Sequence, residues 1–191
     1  MQILTILGPT AVGKTKLAVH LARHLDAEII SADSRQVYRG MDIGTGKDLA
    51  DFMLDGQKVE HHLIDIKDAG EAYDLFHFQK DFFQAYEEIA SRGKTAILCG
   101  GTGMYLQAAL AKERMLEVPR NEKLRKEVEG KSDLELEQTL RELNPQLHNS
   151  TDLTDRERTI RAIEIASYSK NNQHLIQKSP IQNSIVFGIR M

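Results

Sequence analysis

Gly8-Pro9-Thr10-Ala11-Val12-Gly13-Lys14-Thr15 decides how this chain is read. The stretch fits G-x-x-x-x-G-K-[ST], and it stands where that pattern has a mechanism, between an apolar run, Gln2 to Leu7, and a segment of helical period. Glycines let successive backbone N–H groups turn into a concave nest, and the start of a helix adds positive potential. Lys14 adds a full charge, and the Thr15 hydroxyl can ligate Mg²⁺. Gly8, Pro9, Thr10, Ala11, Val12, Gly13, Lys14 and Thr15 are therefore the expected diphosphate cradle. On this P-loop alone, kinase, NTPase and transferase chemistry all remain open.

Outward from the loop, Leu17, Ala18, Leu21, Ala22 and Leu25 recur at helical spacing and predict a helix ending near Asp26. Ala27 to Ser31 reads as a second strand, and residues 62–66 as another. Phe78, Phe82, Ala85, Tyr86 and Ile89 predict an amphipathic helix over 74–92, closed by Gly93. Residues 94–98 are strand again, followed by Gly100-Gly101-Thr102-Gly103 and a short helix reaching Ala111. Strand and helix alternate, so the fold class is α/β, a P-loop NTPase-like parallel sheet flanked by helices. From 113 to 180 the sequence turns charged and helix-favouring, with helices expected near 121–129, 133–143 and 155–169. This predicts a core domain of residues 1–112 with 181–191, the last strand at 184–189, and a small helical insertion at 113–180.

With 191 residues, 41% of them hydrophobic, the chain can bury a core without metals or disulfides. One cysteine, Cys99, excludes an intrachain disulfide and a clustered-thiolate zinc site, and a cytoplasmic setting is expected. The N-terminal run lacks the flanks of a signal peptide, and no apolar run reaches the roughly 20 residues that span a bilayer. No membrane partner is expected. A net charge of −3 excludes a protein that coats nucleic acid by bulk electrostatics, so any such contact must be local. Basic residues cluster at 120–126 and 156–161, where the plainer reading is a solvated helix face.

Asp33, in Ser31-Ala32-Asp33-Ser34-Arg35-Gln36-Val37-Tyr38, falls at the carboxyl end of the second strand, the edge where open α/β sheets bind ligands. Its plainer reading is a cap for the residues that follow. No apolar run ends in a clear metal-holding aspartate of the kind a kinase or NTPase needs.

The sequence resembles the tRNA dimethylallyltransferase family at Gly8 to Thr15, at Ser31 to Tyr38 and at Met41-Asp42-Ile43-Gly44-Thr45-Gly46-Lys47. The likeness continues at His61-His62-Leu63-Ile64-Asp65-Ile66, at Gly100-Gly101-Thr102-Gly103-Met104-Tyr105-Leu106 and at Asp155-Arg156-Glu157-Arg158-Thr159-Ile160-Arg161-Ala162-Ile163-Glu164. The resemblance implies transfer of a dimethylallyl group from dimethylallyl diphosphate to the N6 amine of an adenosine beside the anticodon of tRNA, on its 3′ side, with Mg²⁺ as cofactor. It implies that the Gly8–Thr15 loop holds the leaving diphosphate, that Thr15 meets the metal, and that Asp33 takes the amine proton. Thr102 would stand near the extruded base, or be a simple turn residue; Ser34, Arg35 and Gln36 would line the acceptor pocket. Arg125, Glu157, Arg158, Thr159, Ile160 and Arg161 match tRNA-contact blocks, with Arg158 and Arg161 on one helix face for phosphate. A monomer is expected.

The match departs in two places. The family continues past the strand at 185–189, and it tends to carry a Thr-Gly-Lys turn where this chain has Tyr168-Ser169-Lys170. A short form or a fragment with weaker tRNA affinity or turnover is the expectation. Prenylation of a free adenine nucleotide, and a non-catalytic phosphate- or RNA-binding module, stay open as alternatives.

Overall fold

The structure is a computed structural model that describes residues 2–47, 49–145, 153 and 155–190. The chain divides into two compact units, Met1–Met115 with Lys178–Met191, and Leu116–Gln177. Among the described residues no helix is long and apolar enough to cross a membrane.

The strands of the first unit are β1 (Gln2–Leu7), β2 (Ala27–Ser31), the short hairpin of β3 (Met53–Leu54) and β4 (Gln57–Lys58), β5 (His61–His62), β6 (Thr95–Gly100) and β7 (Asn183–Gly188). Its helices are α1 (Lys14–Leu25), α2 (Leu75–Ser91) and α3 (Gly103–Ala109). Five strands form one sheet in the order β5-β2-β6-β1-β7, and every pairing in it is parallel. Parallel neighbours need helical crossovers, so both faces of the central strands are covered and their residues are mostly apolar, with Thr5, Glu28 and Ser31 buried among them. Ile3, Ile30 and Leu98 pack under α2 and α3, while Ile6, Ile29 and Ile97 pack under α1.

The aromatic stripe of α2 behaves as its spacing predicts. Phe78, Phe82, Phe83 and Tyr86 are fully buried, each worth about 1.5–3 kcal/mol of hydrophobic stabilisation. Phe78 stacks on Tyr105 of α3 with ring centroids 3.9 Å apart. The Gln79 side chain donates to Ala108 O at 2.8 Å and accepts from Met115 N at 2.6 Å, which ties the chain leaving α3 back to α2. The Asp74 side chain caps α2 by accepting from His77 N.

Four local features differ from the sequence expectation. The α1 stripe is rotated: Ala18, Val19 and Ala22 face the sheet, while Leu17 and Leu25 are exposed. The phosphate loop fixes where the helix begins, and small residues let α1 lie close to the strands. β5 stops after His62 because Leu63 and Asp65 adopt positive φ, 63° and 55°, which ends the pairing with β2. The β3–β4 hairpin turns through Asp55-Gly56, both at positive φ, the geometry a two-residue hairpin requires. β7 spans Asn183–Gly188, one residue earlier than the expected 184–189, and Ile185, Val186 and Phe187 are about half exposed.

The second unit contains α4 (Glu122–Val128), α5 (Asp133–Leu143) and α6 (Arg156–Asn171). Asn121, Ser132 and Asp155 cap them, with a full capping box between Ser132 and Glu135. Val128, Leu136, Leu140, Ile160 and Ile163 form its core.

Candidate active site

Three strand ends converge to make the site, and glycine is what allows them to. A Cβ on Gly8 would lie 2.7 Å from Ile189 O, and one on Gly100 would lie 2.3 Å from Ala32 O. Both targets are backbone, so neither clash can be relieved by a side-chain shift. A Cβ on Gly101 would lie 3.2 Å from Gly8 O and 3.8 Å from Lys14 Nζ. The turn after β6 thus packs directly against the backbone at the ends of β1 and β2, an approach that only glycine allows at Gly100.

On the β1 side, Ala11 takes φ 65° and Gly13, which precedes α1, takes φ 86°. Positive φ at a non-glycine residue is costly, and such strain persists where the surrounding structure demands it. The Lys14 ammonium donates to Pro9 O at 2.5 Å and so is held over its own loop. Thr15 sits in the first turn of α1. Among the described residues there is no cluster of three His, Cys, Asp or Glu able to hold a metal. A lone hydroxyl next to a phosphate nest suits Mg²⁺, which takes few protein oxygens and completes its shell with phosphate and water.

On the β2 side, Ala32 N donates to Cys99 O at 2.8 Å, and Thr102 N donates to Ala32 O at 3.1 Å. Thr102 Oγ1 accepts from Ser34 N at 3.1 Å and lies 3.4 Å from Ser34 Oγ. Asp33 Oδ1 accepts from Arg35 N at 2.9 Å. The carboxylate therefore does cap the next turn, while Oδ2 has no protein partner among the described residues. Gln36 accepts from Ser31 Oγ at 2.9 Å and reaches Gly46 O at 3.4 Å. Cys99, at the end of β6, is buried, and burial pushes its thiol up to about 12, with Lys14 opposing and Asp33 reinforcing the rise. A thiol so raised is no nucleophile at neutral pH. β6 lies between β1 and β2 in the sheet, so Lys14 follows one of its neighbours and Asp33 the other. A cavity of about 470 Å³ lies instead at the amino ends of the strands, lined by Gln2, Leu25, Tyr86 and Ile185, and contains none of these groups.

In the helical unit, the expected tRNA residues separate. Arg125 is turned inward: its guanidinium donates from Nε to Glu164 Oε1 at 2.8 Å and also pairs with Glu157. The Glu164 side chain is fully buried and accepts as well from Asn121 N at 2.9 Å and Arg161 at 3.0 Å. Burial alone would raise its carboxyl, but the bonds from Arg125, Asn121 and Arg161 outweigh it and hold it down at about 2. Arg161 also donates to Val118 O at 2.7 Å. Thr159 and Ile160 are buried, Ile160 within the hydrophobic core. Arg158 is exposed, and its guanidinium has no protein partner among the described residues. Glu164 and Lys47 were quoted in sequence blocks without a role. Glu164 is joined to Arg125, 39 residues away, and Lys47 to Asp65, 18 residues away, and no local signal reports those two pairings.

The family model for IPP transferase matches residues 36–190, and that for isopentenyl transferase matches residues 1–61. A tRNA dimethylallyltransferase 2 of Trichlorobacter lovleyi is 56% identical over 189 residues, covering 99% of this chain and 61% of that protein. A tRNA dimethylallyltransferase 2 of Porphyromonas gingivalis is 54% identical, covering 98% of this chain and 62% of that protein. The chain thus spans about three fifths of the length of these relatives. A crystallographic structure of a eukaryotic dimethylallyltransferase acting on tRNA superposes with a TM-score of 0.73 at 26% identity, covering 99% of this chain and 48% of that one. The full-length tRNA isopentenylpyrophosphate transferase of Bacillus halodurans gives a TM-score of 0.58 at 35% identity, covering 97% of this chain and 60% of that one. With one matched region running from Gln36 beside the Asp33 turn to Arg190 just past the last strand, the chain belongs to the IPP transferase family.

Proposed function

We propose that the protein transfers a dimethylallyl group from dimethylallyl diphosphate to the N6 amine of an adenosine in tRNA, next to the anticodon on its 3′ side, and releases diphosphate. The observation that carries this reading is the close packing of the Gly100-Gly101 turn against Ala32 O and Gly8 O, which gathers the ends of β1 and β2, and with them the phosphate loop and the Asp33 turn, at one edge of the sheet. Family membership and the names of the relatives support the substrates.

In the reaction the N6 lone pair forms a bond to the allylic carbon as that carbon's bond to oxygen breaks. The bonding pair leaves with the diphosphate. Backbone N–H groups of residues 10–15 and the Lys14 ammonium stabilise the charge that grows there, an interaction stronger in the transition state than before it. Asp33 Oδ2 accepts the proton that N6 loses. Thr102 fixes the backbone that carries Asp33, through Ser34 N. Thr15 would hold Mg²⁺, which when bound supplies further positive charge to the leaving group. The adenine must leave its stack to enter such a slot. We assign the RNA grip to the helical insertion at 113–180, with Arg158 its outward-facing cation, and we take the working form to be a cytoplasmic monomer.

Incubation with dimethylallyl diphosphate, Mg²⁺ and unmodified tRNA, followed by mass spectrometry of the nucleosides, is expected to yield N6-dimethylallyladenosine. Product from AMP but not from tRNA would overturn the acceptor assignment.

A further inference from the structure

Lys47 is charged, yet its side chain is only 1% exposed. Its ammonium donates to Tyr38 O at 2.9 Å, Asp42 Oδ1 at 2.7 Å and Asp65 Oδ1 at 2.5 Å. An ammonium has three protons, so all are used. Burial on its own would lower the Lys47 pKa, but the bonds it donates to Asp42 and Asp65 outweigh that and raise it, so the group stays protonated. Buried ion pairs add little net stability over apolar packing of the same volume, and their best-attested use is to select one arrangement of the chain.

The arrangement selected here leads to the acceptor side of the site. Asp65 N donates to Gln36 O at 3.0 Å, and Ile66 N donates to Val37 O at 2.9 Å. The Gln36 side chain reaches Gly46 O, one residue before Lys47, and accepts from Ser31 Oγ at the end of β2. Residues 41–46 are wound into a compact turn, with Gly44 and Gly46 at positive φ and Thr45 Oγ1 donating to Met41 O at 2.8 Å. A Cβ on Gly46 would lie 3.7 Å from the Thr10 methyl, so the turn also borders the phosphate loop. The turn carries Ile43, fully exposed, and Met41, nearly half exposed. Among the described residues, the Lys47 ammonium joins the start of this turn, its end and the Asp65 segment.

We infer that Lys47 is a positioning residue: its ammonium locks the 41–47 turn and, through Asp65 and Gly46, holds the Gln36 side chain in the wall of the acceptor pocket. The inference rests on the transfer reading and deepens it. Lys47 touches neither the phosphate loop's donors nor Asp33, so its loss acts on how the acceptor is received and not on the departure of diphosphate.

Steady-state kinetics of the full chain, with tRNA and dimethylallyl diphosphate varied separately, tests this in Lys47→Met and Asp42→Asn. Lys47→Met is expected to raise KM for tRNA about tenfold or more while KM for dimethylallyl diphosphate moves by less than about twofold. Asp42 is largely exposed and leaves Tyr38 O and Asp65 in place, so Asp42→Asn should give a smaller rise of about threefold and serves should Lys47→Met not fold. A purely structural role would lower kcat in step with the folded fraction seen by near-UV circular dichroism and leave both KM values alone, and that result overturns the inference. Should the wild-type chain form no prenylated tRNA, it is the transfer reading that fails. The same variants are then compared by Kd for tRNA, where unchanged affinity overturns the role of Lys47 and weakened affinity upholds it.

Discussion

Thr102 Oγ1 accepts the backbone N–H of Ser34 at 3.1 Å, although the two residues stand 68 apart in sequence. The bond stitches the turn after β6 to the turn after β2, and Asp33 lies at the end of that stitch. Removing the hydroxyl leaves a partly buried N–H without its acceptor, at a cost of about 1–3 kcal/mol. Thr102→Ala should therefore lower kcat for prenyl transfer about tenfold or more, and Thr102→Ser should retain most of it, as measured by product formation at saturating substrates.

Gly100 is fixed by contact and not by conformation. Its Cβ would stand 2.3 Å from Ala32 O, so Gly100→Ala must push β2 and β6 apart where they carry the site. A loss of about 2 kcal/mol or more in urea unfolding is expected, with activity falling further than stability.

Arg125 and Glu164 make the helical unit sensitive to acid. Glu164 is held at about 2 in the folded chain against an ordinary 4.5. A lowered carboxyl contributes stability above its unfolded pKa and loses it as pH falls through the folded value, so the contribution is complete above about 4.5 and fades towards 2. Its full size is of the order of 3 kcal/mol. Arg125→Ala leaves Glu164 buried with fewer donors and should destabilise the chain by about 3 kcal/mol at pH 7. Urea titrations at pH 7 and pH 3 measure both, and the gap between wild type and Glu164→Gln should shrink at the lower pH.

Arg158 is expected to act on RNA and not on folding. Arg158→Ala should weaken tRNA binding and reduce the slope of log K against log salt by about one contact's worth, roughly 0.7–0.9, with the unfolding midpoint unchanged. Filter binding across a salt series reads this directly.

How much of this was legible in the sequence varies from residue to residue, for physical reasons. The strand, loop and helix at the N-terminus are legible because the period changes from apolar run to helix across two glycines. The α2 stripe is legible because five aromatic or aliphatic residues keep its spacing. The hairpin at Asp55-Gly56 carried its usual two-residue signal, but strands of two residues are too short for periodicity to register. β5 misled for the opposite reason: Leu63, Ile64 and Ile66 extend a strand-like run past His62, while the positive φ of Leu63 and Asp65 is reported by no hydrophobic pattern. Within the site, the phosphate loop and Asp33 are local signals. The positions of Arg125 and Lys47 are not, because a charged side chain reads as solvated until its partners, 39 residues away for Glu164 and 18 for Asp65, are known.

The central claim is that the Asp33 carboxylate takes the proton from the attacking amine across the slot from the phosphate loop. Single-turnover formation of N6-dimethylallyladenosine in tRNA by Asp33→Ala, with donor and tRNA saturating, tests it most directly. The rate is expected to fall by about 10²-fold or more while dimethylallyl diphosphate still binds. Product formed by Asp33→Ala at the wild-type rate would contradict the account.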